Sequence, residues 1–529
     1  MPDSQPETSS QTRPLRNGRR GYSKLKRRAI RVLAALVLVG SLAAGASLAY
    51  GQFLFSKVHR VVIAAEKPQV AGQPINILLI GNNSRAGLSP SEAAAFGTQS
   101  QVGGGRADVS MIAHFDPTTK QVSLLSIPRD LFMPIPGTTK AQRVDAALNP
   151  ISPQSTVEDP NRLVKTIQDD LGIPIQHYVE LNFDTFQGVV NALGGIKMYF
   201  PTELKDSYSS LNITTTGCLT LNGYQALQVV RARHLYYRTS SGTWLYDGLG
   251  DLSRTRRDHI FIQVLSAQVK AAGIGNPVRD LALLNSIYKD LTLDSHFSES
   301  ELLSLIRTYA SANPANAPTG TLPIAFEGGT SGYVFDGVNY SSIVFPQEPA
   351  DTLLMDQTLG ISTPKIAPSD IAVTVINGSH TSNTGANVAN QLRALGYNVG
   401  APQTAPATGN PAESVIYYTP GNIQKAEVLR ASLAGSVIMG ELPSITSGTP
   451  LELVAGDQIA VGTISTAAAP SNIAAPSTTT PGPQSPPPTK PTSTTVAAHA
   501  SVAIPNITQG TQINVLQQPE PWDPRACPA

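Results

Sequence analysis

Seven arginines are the residues of this sequence best suited to chemistry, because most stand where an ordered element meets a loop. Arg85 follows the polar turn of INILLIGNNSRAG (75–87), and Arg106 lies with Asp108 in GGGRADVSM (103–111). Arg129 and Asp130 close SIPRD (126–130). Arg231 and Arg233 in VVRARH share one face if that stretch is extended, because strand side chains repeat every two residues. Arg254 and Arg257 share a helix face at i, i+3, near an N-terminus whose dipole favours an anion. Guanidinium forks suit bidentate phosphate contacts. Several converging on one point imply a ligand with more than one negative charge, and a pyrophosphate fits. The competing reading makes each arginine a solvated side chain or a surface ion pair. That reading does not predict arginine beside Gly-rich turns and at element ends.

Other chemistries find little support. The loop GNNSRAG lacks the lysine and spacing of a nucleotide-binding P-loop. The chain has no GxSxG, HExxH or CxxC, and its eight histidines show no metal-ligand spacing. Formal net charge is +1, which gives no case for nucleic acid.

The elements that must position the arginines alternate between strand and helix. Residues 75–80 read as a buried strand, and 110–128 as two strands around an Asp-Pro-Thr-Thr turn. Helical spacing marks 162–172, 184–195 and 253–273, and 177–183 alternates as a strand. Alternation of this kind predicts an α/β sheet with helices on both faces over 73–275. Residues 276–350 read as a helical extension, with a capping box from Ser298 to Glu301. A second, small α/β domain is expected over 370–462. Residues 463–529 are rich in Ala, Pro, Ser and Thr and are expected to form a disordered tail.

The amino terminus gives a topology. Residues 1–31 carry nine Lys/Arg, and 32–56 carry no charge for 25 positions. A helix of that length spans about 37 Å, enough for a bilayer core. The basic flank predicts a single-pass anchor with a cytoplasmic N-terminus and an extracytoplasmic body. Cys218 and Cys527 could pair in an exported chain or stay as two thiols.

These motifs resemble the LytR-CpsA-Psr (LCP) family of cell-envelope proteins. ILLIGNNSR, GGGRADVSM, LLSIPRD, RVDAALN, LGIPIQHYVELNF, ALGGIKMYFP, LTLNGYQALQVVRAR and GDLSRTRR carry the resemblance across about 75–275. Residues 371–460 look like the C-terminal domain often attached to actinobacterial members. The resemblance implies a phosphotransferase. It would move a glycopolymer, arabinogalactan or a teichoic-acid-like polymer, from a polyprenyl-pyrophosphate carrier to a peptidoglycan hydroxyl. Mg²⁺ or Mn²⁺ would assist, and the lipid would lie in an apolar pocket.

By the same resemblance, Arg106 and Arg129 match the arginines most important for transfer. Arg85, Arg231, Arg233, Arg254 and Arg257 match positions near the pyrophosphate, and Arg143 stands where the family has a lysine. Asp108 matches one metal carboxylate, and Asn83 occupies the place of the other. Asp251 matches an acidic position that orients Arg254 or helps activate the hydroxyl. Asp258 stands where the family commonly has Gln and could supply a carboxylate. Tyr236, Tyr237, Trp244 and Tyr246 either meet sugar or lipid or form a satellite core. The alternatives to transfer are a non-catalytic, membrane-anchored binder of such glycolipids and a lipid pyrophosphatase.

Overall fold

The computed structural model describes residues 49–84, 88–95, 106–138, 141–149, 158–248, 250–272, 291–309, 317–326, 343–404, 413–462 and 519–528, together with 285, 288, 312, 333–335 and 338–340. The expected membrane span is therefore seen only from residue 49, and 49–55 are helical. Among the described residues no helix is long and apolar enough to cross a membrane.

A seven-stranded mixed sheet organises the first domain. Its strands are β1 (His59–Val61), β2 (Ile75–Asn82), β3 (Ala107–Phe115), β4 (Val122–Ile127), β5 (His177–Leu181), β6 (Leu291–Asp294) and β7 (Thr319–Thr321), in the order β1-β6-β5-β2-β3-β4-β7. Strands β2, β3 and β4 form an antiparallel meander, and β2 runs parallel to β5. The β3–β4 turn is closed by Asp116, which accepts the Thr118 amide at 2.7 Å and the Thr119 hydroxyl at 2.6 Å.

Both faces are covered. The helices used below are α1 (Pro160–Leu171), α2 (Phe183–Ala192), α3 (Gly223–Arg231), α4 (Asp251–Ala272) and α5 (Ala350–Leu359). On one face Leu78 and Ile80 pack with Leu163, Val164 and Ile167 of α1 and Leu354 of α5. On the other, Ile75 and Ile77 pack with Leu305 and Ile262. The strand period of two divides β2 between these cores, which explains a nearly continuous apolar run. Helix α1 starts at Pro160, where Asp159 accepts the Arg162 amide, and stops at Gly172 with φ 71°.

The 276–350 segment differs from the helical expectation. Its described residues supply β6 and β7 to the main sheet, the helix Glu299–Tyr309, and the paired strands Ile324–Phe326 with Val344–Pro346 and Tyr333–Phe335 with Val338–Tyr340. Runs of three or four residues are too short to show a period. Their strand character comes from tertiary pairing, as where β6 buries Leu291 and Leu293 between β1 and β5.

The C-terminal domain is a separate α/β sheet whose core holds Val373, Val375, Leu392, Ile416, Leu429 and Leu453. It docks on the end of α1. Tyr418 donates to the Asp169 carbonyl at 2.9 Å, Arg430 to the Asp170 carbonyl at 2.8 Å, and Lys165 meets Glu441 at 2.9 Å. The Met439 amide donates to the Asp170 carboxylate.

Burial pushes Asp170 up to about 7, against the Met439 amide and Arg430. A carboxyl raised on folding binds its proton more tightly in the folded than in the unfolded state. Its contribution to stability is therefore lost as pH rises from about 4 to about 7. Asp170→Asn keeps an acceptor for Met439 and removes the titration. Melting curves of wild type should fall relative to this variant across that window. Parallel curves would refute the assignment.

The tail also departs from expectation. Residues 463–518 lie outside the described residues, but 519–528 are ordered against the first domain. Asp523 is fully buried there, and Cys527 is bonded to Cys218.

Candidate active site

The carboxyl ends of β2 and β4 and the start of β3 meet at one end of the sheet. Gly81 pairs with Val109 and Asn82 with Ala107, which leaves Asp108 as the extra residue of a bulge. Bulges re-aim side chains, and this one sets Asp108 apart from the strand alternation. A Cβ on Gly81 would meet that of Val109 at 3.1 Å, so the close pairing favours glycine.

Around Asp108 the charges alternate. Arg129 Nη1 lies 2.5 Å from Asp108 Oδ1, and its Nε is 3.5 Å from Asp130 and 3.8 Å from Asp251. Asp251 opens α4 and also meets Arg233 at 3.0 Å and Arg254 at 3.2 Å. Arg254 donates to the Asp108 carbonyl at 2.5 Å. Asp145 lies 3.8 Å from Arg106 and 3.4 Å from Arg143, and Arg143 is 3.6 Å from Asp130. The side chains of Arg254 and Arg129 are 5% and 10% exposed, against 24%, 33% and 35% for Arg143, Arg106 and Arg233. Two arginines thus form the floor and three the rim.

The electrostatics follow from this arrangement. Burial works against the Asp108 carboxylate, but Arg129, Arg254, Arg233 and Arg231 together hold it below the ordinary aspartate range. Burial raises Asp130 and Asp145 against their arginines. Asp258, wholly enclosed, is pushed up to about 7. Its contact with the site is Arg254, at 4.0 Å.

Of the other predicted arginines, one is not described, one acts on Asp108 from a helix end, and one belongs to another cluster. Arg85 lies outside the described residues. Arg231 is the last residue of α3 and not part of an extended stretch, so the shared strand face with Arg233 does not form; its guanidinium lies 4.6 Å over the Phe183 ring. Arg257 is 1% exposed and belongs to a second cluster, 3.1 Å from Asp247 and 3.7 Å from Asp523. The i, i+3 spacing put it one turn from Arg254 but could not show that a carboxylate from the far C-terminus would claim it.

Asn83 is buried, and its Oδ1 accepts the Arg106 amide at 3.3 Å. It therefore helps close the bulge. An amide oxygen keeps a second lone pair. Asn83 and Asp108 stand on the two sides of this bulge and both carry oxygen donors, the ligand type a hard divalent cation takes. Glu66, Asp294 and His296 also bring ligand atoms within 4.8 Å of one another. Asp294 and the neighbouring His177 lie at the opposite end of the sheet, where β2 begins.

Sequence reasoning missed Asp145, whose signal was its place two residues after Arg143 in AQRVDAALN. It also missed Asn82, whose Nδ2 donates to Glu158 at 2.8 Å and Glu180 at 2.6 Å. Burial and the adjacent Glu180 push Glu158 up to about 7. No local motif connects those two carboxylates. The Ser126 hydroxyl lies 2.6 Å from His259 Nε2, yet both are buried, and burial pushes His259 down to about 4. Among the described residues no carboxylate orients the ring, and this interior pair lacks the access a nucleophile needs.

The aromatic connection divides. Strands Tyr236–Arg238 and Trp244–Tyr246 pair, with Tyr236 and Tyr246 exposed and Lys205 at 4.1 Å over Trp244. Tyr237 turns inward and stacks on Trp522.

A family model described as the LytR_cpsA_psr family matches residues 55–348, more than half of the chain. The chain belongs to the LytR_cpsA_psr family. Residues 370–458 match a second model, the LytR cell envelope-related transcriptional attenuator. The probable cell wall biosynthesis protein LcpB of Corynebacterium glutamicum is 31% identical over 292 residues, covering 54% of this chain. The chain spans 64% of the length of that relative. The TagU protein of Enterococcus faecalis, a polyisoprenyl-teichoic acid–peptidoglycan teichoic acid transferase, is 26% identical, covering 54% of this chain and 81% of its own. A solved structure, the LytR-Csp2A-Psr enzyme from Actinomyces oris, shares 25% identity at a TM-score of 0.43, covering 57% of this chain and 96% of its own. This LytR_cpsA_psr chain thus has the family's mixed α/β domain followed by a LytR C-terminal domain.

Proposed function

We propose that this protein is a phosphotransferase that moves a cell-wall glycopolymer from a polyprenyl-pyrophosphate carrier to a peptidoglycan hydroxyl. The observation that carries the reading is the Arg-Asp cup around Asp108, with five guanidinium groups at one end of the sheet. The named activities of relatives such as TagU support the same reaction class. A membrane anchor over 32–56 would hold the cup on the outer face, where the lipid carrier is presented.

The reaction balances without a protein nucleophile. The acceptor oxygen bonds to the sugar-side phosphorus, and the bond from that phosphorus to the bridging oxygen breaks. Prenyl monophosphate leaves with the electron pair, and the hydroxyl proton passes to solvent or to a carboxylate. Arg106, Arg143 and Arg233 at the rim would grip the entering pyrophosphate. Arg129 and Arg254 on the floor would meet charge that grows on the leaving phosphate. Asp251 faces three arginines, so its lone pairs serve to orient guanidinium groups more than to take a proton. Asp108 and Asn83 would hold Mg²⁺ or Mn²⁺, which supplies further neutralisation of phosphate oxygens when bound.

The test uses the full chain in detergent with a prenyl-pyrophosphate glycolipid and Mg²⁺ or Mn²⁺, following prenyl phosphate release. Release that rises with a peptidoglycan acceptor supports transfer. Release unaffected by acceptor indicates a pyrophosphatase, and tight binding without release indicates a binder. In the same assay Asn83→Asp should lower the metal concentration for half-maximal rate by about tenfold, because a second carboxylate adds charge to the donor set. An unchanged metal titration would remove Asn83 from the metal site.

A further inference from the structure

The carboxyl-terminal segment 519–528 is joined to the first domain at several points. Arg525 and Ala526 pair antiparallel with Tyr199 and Met198, and Cys527 is disulfide-bonded to Cys218. Trp522 stacks on Tyr237 with ring centroids 4.0 Å apart and planes 2° from parallel. Asp523 is fully buried between them. Its Oδ2 accepts Arg256 Nε at 2.5 Å, and its Oδ1 lies 3.7 Å from Arg257.

Asp523 completes a charge count. Arg256 and Arg257 are each 1% exposed. Asp247 meets them at 3.6 Å and 3.1 Å, so without Asp523 two buried guanidinium groups would share one close carboxylate. Buried charges persist only when paired.

This cluster touches the arginine cup from behind. Arg256 and Arg257 lie on α4, the helix that presents Asp251 and Arg254 to the site. Arg257 Nη2 also donates to the carbonyl of Ala232, the residue between Arg231 and Arg233. Asp247 accepts from Ser253 at 2.7 Å, in the first turn of the same helix. The segment that supplies Arg233 is therefore held by Arg257, which Asp523 helps neutralise, and the first turn of α4 by Asp247, which shares Arg256 and Arg257 with Asp523.

We propose that Asp523 is a positioning residue of the arginine site, and that segment 519–528 is a built-in clip that fixes α4 and the end of α3 for pyrophosphate binding. The proposal rests on the transferase reading for its ligand but makes a structural claim of its own. Phosphoryl transfer depends on donor placement, where a shift of about 1 Å can cost on the order of a hundredfold.

The test compares the full-length chain with Asp523→Asn, Asp523→Glu and a chain ending at residue 518. Hydrogen exchange over 228–258 reads positioning directly. Inorganic pyrophosphate affinity reads the site, and prenyl phosphate release reads turnover. Asp523→Asn should lose exchange protection at 231–233 and 251–254, bind pyrophosphate at least about tenfold more weakly, and lower kcat more than it raises KM. Asp523→Glu should recover part of each. A peptide of residues 519–529, added to the shortened chain under oxidising conditions, should restore protection. Leu453→Ala, in the core of the C-terminal domain, should lower the melting temperature but keep pyrophosphate affinity at 25 °C. Unchanged exchange in Asp523→Asn would overturn the proposal. Wild type without prenyl phosphate release would overturn the transferase reading and leave the exchange result to decide the clip.

Discussion

Arg129→Ala should reduce prenyl phosphate release by about 10³-fold, the largest effect expected of any single substitution in the cup. Loss of one preorganised donor to developing charge costs on the order of 10²–10³ in rate. Arg129 should lie at the upper end because it touches more of the cup than its neighbours do. It binds Asp108 at 2.5 Å and stands within 3.8 Å of both Asp130 and Asp251. Removing it leaves three carboxylates around the space the guanidinium filled, and takes from Asp108 the strongest of the cations that hold its carboxyl down. The Asp108 pKa should then rise, and the rate of the variant should fall more steeply than wild type as pH drops. Arg129→Lys should recover little. A point charge on a flexible stem cannot meet Asp108 with one nitrogen and Asp130 and Asp251 with another. Release assays at several pH values, with a thermal melt to confirm folding, decide the matter. A variant within about threefold of wild type would show that Arg129 organises carboxylates without meeting the substrate.

Much of this arrangement was legible in sequence because it is local. Strand β2 betrays itself by its apolar run, and α1 by Leu163, Val164, Ile167 and Leu171 followed by Gly172. Arg106, Arg129, Arg233 and Arg254 stand at the ends of such elements, so the end of the sheet that gathers them could be foreseen. What failed was non-local. Arg257 was assigned to the cup because its spacing from Arg254 is visible in the chain, whereas its partner Asp523 is distant in sequence. The same long-range contact orders residues 519–528, which composition alone places in a disordered tail. Strands β6 and β7 have too few residues to carry a period and exist because the sheet had edges to offer. Asn83 marks a subtler limit. Its residue type was read as a missing metal carboxylate, while its bond to the Arg106 amide gives it a backbone role that no side-chain inventory contains.

Phe132→Ala should destabilise the protein by about 3–5 kcal/mol, the range for truncating a fully buried phenylalanine. The ring is 0% exposed and packs edge-on against Tyr333, Tyr340 and Phe345, with centroids 5.2–5.5 Å away. Collapse around the cavity would be limited, because these neighbours are themselves large and fixed on paired strands. The same cluster includes Val415 and Ile438 of the C-terminal domain, so the loss should fall on the joint between domains. Its effect should also reach the cup. Phe132 pairs in register with Arg143 and lies three residues after Arg129, so slack in this strand loosens one rim arginine and one floor arginine together. Denaturant melts should show the destabilisation, and limited proteolysis should cut the segment between α5 and Ala372 faster than in wild type. Turnover at 25 °C should fall by about tenfold, less than for Arg129→Ala, because the charges remain and only their placement relaxes. Ile438→Ala should share part of the same loss, so the double variant should cost less than the sum of the two. Strict additivity would mean that the two domains do not share a core at this joint.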